Sequence, residues 1–386
     1  MAVRFDKLGV VIAVLAGYGA LLAPFATFRA NRIVPGEPRA ILEALPGVAG
    51  LALLVVTLAA ALVALFRTPV SLRLAAAVIA LAVLAILIGI SGSYLTPEGN
   101  TFARVAPASG FWVLMFAFVL LLADVLTRLD LLPLARIGML AIAAFAVCLL
   151  LWSGTWDSLS ILKEYFNRAD SFWGEASKHI TLALGSLAAA VIAGIPLGVL
   201  CHRVEALRAA VLNVLNIIQT IPSIALFGIL IAPLSWVALN VPGAAALGIR
   251  GIGTAPAFIA LFLYSLLPVV ANTVVGLAGV PRAASDAADG MGMTSRQKLF
   301  GVEFPLAFPV ILTGIRIVLV QNIGLATIAA LIGGGGFGVF VFQGVGQTAM
   351  DLVLLGAVPT VALAFVAAIV LDAAIEISSN RRGRAA

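Results

Sequence analysis

The chain has 386 residues, 63% of them hydrophobic and only 10% charged, with a formal net charge of +6 and a mean hydropathy of +1.18. That balance excludes an ordinary soluble domain and points to an all-α, polytopic membrane helix bundle; the basic surplus then reads as a membrane-topology signal before it reads as nucleic-acid binding. A spanning helix needs about 20 mostly apolar residues, and ten runs approach this: 8–28, 46–66, 72–90, 110–127, 134–152, 178–200, 207–232, 255–278, 306–330 and 350–377.

The first run follows Arg4 and Lys7 and is longer than the apolar core of a typical secretory signal, so a retained helix is expected. Residues 1–152 form an N-terminal five-helix transmembrane region of Ala, Leu and Val with hardly a polar residue inside its runs, which predicts packing helices without a chemical site. Cys148 and Cys201 lie in or beside apolar runs and share no metal-like spacing, so buried free thiols are expected. His179 and His202 have no Cys, Asp or Glu at ligand spacing and are expected to snorkel to the interface. In residues 153–177, Leu162, Tyr165, Phe166, Ala169 and Trp173 recur at helical spacing opposite Lys163, Glu164, Asn167, Arg168 and Asp170. This predicts an extracytoplasmic amphipathic segment lying on the membrane, either covering the bundle or docking a partner.

From 178 to 379 the apolar runs carry polar residues, which are costly in lipid and usually face a bundle interior or a watery path. Gln219, Thr220, Asn272, Arg316, Gln321 and Asn322 are therefore candidates to line a translocation path. Helix-to-helix hydrogen bonding is the alternative for Gln219 and Asn272, and snorkelling the alternative for Arg316. A cytoplasmic amino terminus puts fourteen Lys and Arg on the inner side and eight outside, with Arg316 within a helix. This bias predicts that both termini, including the basic tail 380–386, are cytoplasmic. The glycine run 331–346 lacks the Lys and Ser or Thr of a phosphate-binding loop, and its glycines are expected to let backbone bend sharply or pack closely at the outer end of a helix pair. No catalytic constellation and no metal site stand out.

The loop 279–309, "GVPRAASDAADGMGMTSRQKLFGVEFPLAFP", parses into two short helices. Pro281 suits a first helical position. Ala284, Ala287, Ala288 and Met291 share one face, while Asp286 and Asp289 share another. "GMG" breaks this helix, Thr294 and Gln297 form a capping box for the second, and Pro305 is expected to end it. An alanine face with flanking charges suits a plug for a protein socket.

Within this loop "DAADGMGMTSRQKLFGVEFP" resembles the EAA coupling loop of importer-type ABC transporter permeases, with Asp286, Ala287, Ala288, Gly292, Val302, Phe304 and Pro305 in the pattern's places and Arg296 between them. Asp for Glu, Val for Ile and Phe for Leu are its departures. "NIIQTIPSIALFGILI" (216–231), "ALFLYSLLPVVANT" (260–273) and "GIRIVLVQNIGLATIAALIGGGGFG" (314–338) resemble the permeases of osmoprotectant importers for glycine betaine, choline and carnitine. The resemblance covers about 173–379 and implies a five-helix permease core of the type I importer kind, with coupling loop 281–305. The extra amino-terminal spans resemble a longer-chain subset of low-affinity betaine uptake systems. It also implies a multi-pass protein of the bacterial cytoplasmic membrane. The partners implied are a second permease subunit, two cytoplasmic ATPases that carry ATP and magnesium, an extracytoplasmic binding protein and membrane lipid; no nucleic acid and no cofactor in this chain are expected. Phe262 and Tyr264 are candidate aromatic contacts for a quaternary ammonium solute. A permease for an amino acid or sulfonate is the alternative within this class. An ion-driven secondary transporter is the alternative outside it, although Asp124, Asp351 and Asp372 all lie near the predicted helix ends.

Overall fold

The structure, a computed structural model, describes residues 5–32 and 34–383, the last four of these by backbone alone. Arg4 and the tail arginines that entered the topology argument therefore lie outside the described side chains. The chain folds as two compact units, 1–167 and 168–386.

In the first unit α1 (Lys7–Leu21), β1 (Ala26–Arg29), β2 (Glu37–Arg39), α2 (Ile41–Ala44), α3 (Gly47–Leu65), α4 (Val70–Leu95), β3 (Arg104–Pro107), α5 (Ser109–Leu129), α6 (Pro133–Trp152) and α7 (Ser160–Asn167) follow in order. Helix α1 packs on α3 and α5, and α4 packs on α3 and α5. Small residues make these crossings close: Gly9 lies so near the Ala64 carbonyl that a Cβ would overlap it, the close backbone approach that stabilises helix pairs in lipid. The expected first span 8–28 stops at Leu21 because Pro24 cannot continue the helix. The chain there enters a three-stranded antiparallel sheet of order β2-β1-β3, with Thr27 opposite Pro38 and Ala106. Composition gave no sign of this sheet. Its strands are three or four residues long, too short for an alternating pattern to show.

The second unit holds α8 (Ala169–Arg203), α9 (Glu205–Thr220), α10 (Ser223–Asn240), α11 (Thr254–Ala278), α12 (Arg282–Gly290), α13 (Ser295–Lys298), α14 (Phe304–Ala326), α15 (Gly338–Gly346) and α16 (Met350–Gly383). Its centre is α8, α11 and α14, with α16 on α14 and α9 on α8 and α11. Gly198 faces Thr273 and Gly314 faces Asn272 at distances that leave no room for a Cβ. The expected span 207–232 is two helices, broken where Ile221 takes extended backbone before Pro222, as the residue preceding a proline tends to do.

Among the described residues, nine helices are long and apolar enough to cross a membrane, and α1 is a shorter apolar one. The segment 153–177 is not one surface helix. Its first half ends in α7, Arg168 interrupts it, and its second half is the first turns of α8. Burial on α7 does not follow its two faces: Glu164 is buried and Lys163, Leu162 and Tyr165 half-buried, whereas Phe166, Asn167 and, beyond the break, Trp173 are exposed. Two thiol and histidine expectations also fail: Cys148 is exposed on α6 while Cys201 is buried, and His179 is fully buried against Phe337 with ring centroids 5.0 Å apart.

Candidate functional site

The loop between α11 and α14 is built as its sequence predicts, with one change. Helix α12 begins after Pro281, which caps it. Gly292 follows at φ +76°, left-handed backbone that glycine adopts without strain. Thr294 and Gln297 then cap α13 reciprocally: the Thr294 N–H donates to the Gln297 side-chain oxygen at 2.8 Å, and the Gln297 N–H donates to Thr294 Oγ1 at 3.3 Å. Pro305 does not end this second helix. A π-helical turn over Leu299–Glu303 carries it into α14, making Ser295–Ala326 one apolar rod. The wider turn absorbs the N–H that Pro305 lacks.

Two ion pairs hold the shape. Lys298 Nζ meets Asp289 at 2.8 Å, and Arg203, at the end of α8, meets the buried Glu303 at 2.6 Å. Sequence reasoning missed the second pair; its signal was an acid inside the apolar stretch "LFGVEFP". Ala288 is buried and Ala284 half-buried, so only part of the alanine face is free. Asp286, Ala287 and Arg296 are exposed, Val302 and Phe304 are half-buried, and Pro305 is exposed. Met291 and Phe300 stand out at 71% and 62% exposure on this otherwise polar turn.

The polar residues within the spans fall into separate groups. Pro268 has no N–H, so the Tyr264 carbonyl one turn earlier lacks its helical donor. Gln219 Nε2 donates to that carbonyl at 2.8 Å, and the Tyr264 hydroxyl donates to the Ile221 carbonyl at the α9–α10 break. Two interrupted helices thus satisfy each other. The adjacent Thr220 is exposed and bonds the Ile217 carbonyl at 2.7 Å. Asn322 meets the same stretch of α11 from the other side. Fully buried, its Nδ2 donates to Ser186 Oγ and Ser265 Oγ, each at 2.9 Å, pinning α8, α11 and α14 together. Asn272 lies further along α11, donating to the Pro268 carbonyl at 2.8 Å. Arg316 is apart from all of these, paired at 2.8 Å with Asp372 of α16, both about two-fifths exposed. Asp372 lies well inside α16, not near its end. Gln321 is half-buried, as is Phe262, while Tyr264 is buried.

The glycine run turns back on α8. Gly333, Gly335 and Gly336 all have positive φ, and the Gly336 N–H donates to the Glu175 carboxylate at 2.6 Å. A Cβ on Gly336 would stand 3.0 Å from His179 Nδ1. It is a bend closed on a helix. Beside it a cavity of about 450 Å³ opens between α8 and α11, with Lys178, Thr181 and Phe258 in its wall.

With the 279–303 loop and its caps in place, comparison with known proteins decides the family. Residues 190–384 match the family described as binding-protein-dependent transport system inner membrane component. The chain belongs to that family. Residues 6–162 match a second description, ABC transporter permease YehY, N-terminal domain, in good agreement with the first unit. The osmoprotectant import permease protein OsmW of Salmonella typhimurium is 41% identical over 189 residues, 49% of this chain and 83% of that protein. The choline transport system permease protein OpuBB of Bacillus subtilis is 38% identical over 197 residues, 51% of this chain and 83% of that one. The glycine betaine/carnitine/choline permease OpuCB of Bacillus subtilis is 36% identical over 207 residues, 54% and 86% respectively. As a permease component of an importer family, the chain is a multi-pass membrane subunit and not itself the catalyst.

Proposed function

We propose that this chain is the membrane subunit of an ATP-driven importer of quaternary-amine osmoprotectants such as glycine betaine. In this reading it works with a second permease subunit of the same or related sequence, two cytoplasmic ATPases and an extracytoplasmic binding protein. ATP and magnesium belong to the ATPases, and both termini and the 281–305 loop face the cytoplasm.

The observation that carries this reading is the loop itself. A rigid helix-turn-helix, capped at Thr294 and braced by Arg203 and Glu303, holds Met291 and Phe300 outward beside Asp286 and Ala287. Exposed apolar side chains on a polar turn suit a groove in a partner. Closure of the paired ATPases would then move α14 directly, because α13, the π turn and α14 are one rod. Differential binding of nucleotide to the closed state supplies the energy for alternating access.

The path is assigned to the polar groups around the α9–α10 break, Gln219 and Thr220, together with Gln321, Asn272 and Arg316. Asn322 spends its amide on packing in this state. The decisive experiment is uptake of labelled glycine betaine into proteoliposomes carrying the assembled complex. ATP-dependent uptake is expected. Uptake that persists with a non-hydrolysable nucleotide at a maintained proton gradient would overturn the reading in favour of a secondary transporter, and ATP-driven uptake of an amino acid or sulfonate in place of betaine would overturn its substrate.

A further inference from the structure

Helix α9 presents two faces of opposite character. One packs in a single apolar cluster, Val211, Leu215 and Ile218 with Leu266, Val270 and Val274 of α11 and Cys201 of α8. That packing sets α9 alongside the half of the α11 span nearest the 279–303 loop. The other face turns away from the chain and reads Ala206, Ala209, Asn213, Asn216 and Thr220, every one exposed. The Thr220 hydroxyl is spent on the Ile217 carbonyl. Among the described residues, the Asn213 and Asn216 side chains have no hydrogen-bond partner. At membrane depth a bare amide is costly, and lipid tails offer it no partner. The exposed side of α10, by contrast, suits lipid, with Ile224, Ile229, Trp236 and Leu239 turned outward.

We propose that this face is the contact between two copies of the chain, their α9 helices side by side and parallel, with Asn213 and Asn216 each pairing with the same side chain of the second copy. The five residues are spaced by three, four, three and four positions, the seam along which two helices wind together. Alanines let the backbones approach closely, and asparagine side chains bond across helices in lipid. A watery path would also accept the amides, but it has no use for the alanines. A second copy is the partner that matches. Copies inserted the same way are related by a twofold axis along the membrane normal, so each seam residue meets itself, and an amide both donates and accepts. The assignment rests on the importer reading and deepens it, because it makes the second permease subunit a copy of this chain.

The test is oxidative cross-linking of the full chain in membrane vesicles, in a Cys148→Ser background that removes the exposed thiol and keeps the buried Cys201. Asn213→Cys is expected to give a disulfide-linked pair of chains, and Ile192→Cys, equally outward on α8, to stay single. An Asn213→Cys chain that stays single, or cross-linking at Ile192 as efficient as at Asn213, would overturn the proposal. A single Asn213→Cys chain that also reacts with a membrane-impermeant thiol reagent would make the face part of a watery path instead. A second measurement uses two differently tagged copies of the chain, co-purified in mild detergent. Replacing both amides, Asn213→Leu with Asn216→Leu, is expected to weaken their association about tenfold; unchanged association would overturn the seam. Proteoliposome uptake separates the two readings. ATP-driven uptake by a complex that never links through Asn213 sinks the seam alone, whereas linkage at Asn213 without uptake sinks the importer and leaves the seam standing.

Discussion

The two units treat charge at their helix ends in opposite ways. In the first, Asp6 before α1, Arg73 on α4, and Asp124 and Arg128 on α5 neutralise one another. Arg73 reaches Asp6 at 3.3 Å and Asp124 at 3.2 Å, and Arg128 reaches the same two at 2.8 and 2.9 Å. Arg73 is fully buried. In the second unit the 279–303 loop uses one ion pair to hold its own shape and one to brace it on α8, and leaves Asp286, Ala287, Met291 and Phe300 outward. Charges that a chain satisfies internally are architecture. Groups held rigidly outward suit the partner groove proposed above.

The contrast breaks most severely at Arg73. Arg73→Leu leaves Asp6 and Asp124 to share one half-exposed arginine, and removing one partner of a buried pair typically costs about 3–5 kcal/mol. The full chain in detergent is expected to unfold at a clearly lower temperature, and an unchanged midpoint would show that the four charges are ornamental. Gly292→Pro attacks the opposite pole. Proline fixes φ near −65° and cannot take the +76° of this turn, so the α12–α13 angle is lost. Insertion and expression should stay normal while capture of the ATPase weakens at least tenfold. Capture at wild-type affinity would end the plug reading.

Legibility in the sequence followed the same division. The loop was readable because its determinants are local: Pro281, the glycine break and the Thr294–Gln297 box act within a few residues. The spans were readable because lipid demands length and hydrophobicity. What escaped was satisfied at a distance. Nothing near Arg73 announces Asp6 and Asp124, since 67 and 51 positions separate them. Likewise nothing near Gln219 announces its acceptor, because the proline that frees the Tyr264 carbonyl stands at 268, although an intramembrane proline does flag a bare carbonyl four residues earlier. The buried Glu164 of α7 has a different cause: amphipathicity in the sequence shows that a helix has two sides, and only the surroundings decide which residues turn inward.

A smaller effect is expected at the centre of the second unit. Asn322→Leu removes the amide that joins α8, α11 and α14, but Ser186 and Ser265 keep bonds of 2.6 Å to the Leu182 and Leu261 carbonyls of their own helices. No hydroxyl is left bare. The cost should be about 1 kcal/mol, as for other hydrogen bonds between membrane helices, and a loss as large as that at Arg73 would mean that the polar pin is the real keystone of the fold.

The last prediction sharpens the charge network by pH and carries the smallest effect near neutrality. Burial alone would raise the Asp6 carboxyl. The Arg128 hydrogen bond, the Gly9 amide and the charges of Arg73 and Arg128 together outweigh it and hold Asp6 below its ordinary value. A carboxyl depressed in the folded state contributes stability that is fully present above its unfolded pKa, roughly 4, and is lost as pH falls through the lower folded value. The thermal midpoint should therefore show no contribution from Asp6 titration between pH 8 and 5, and should begin to fall only below about pH 4. Asp6→Asn should flatten that acid limb while lowering the midpoint at neutral pH. A midpoint in the Asn variant with the same acid slope as wild type would place the titrating group elsewhere and leave the clamp to geometry alone.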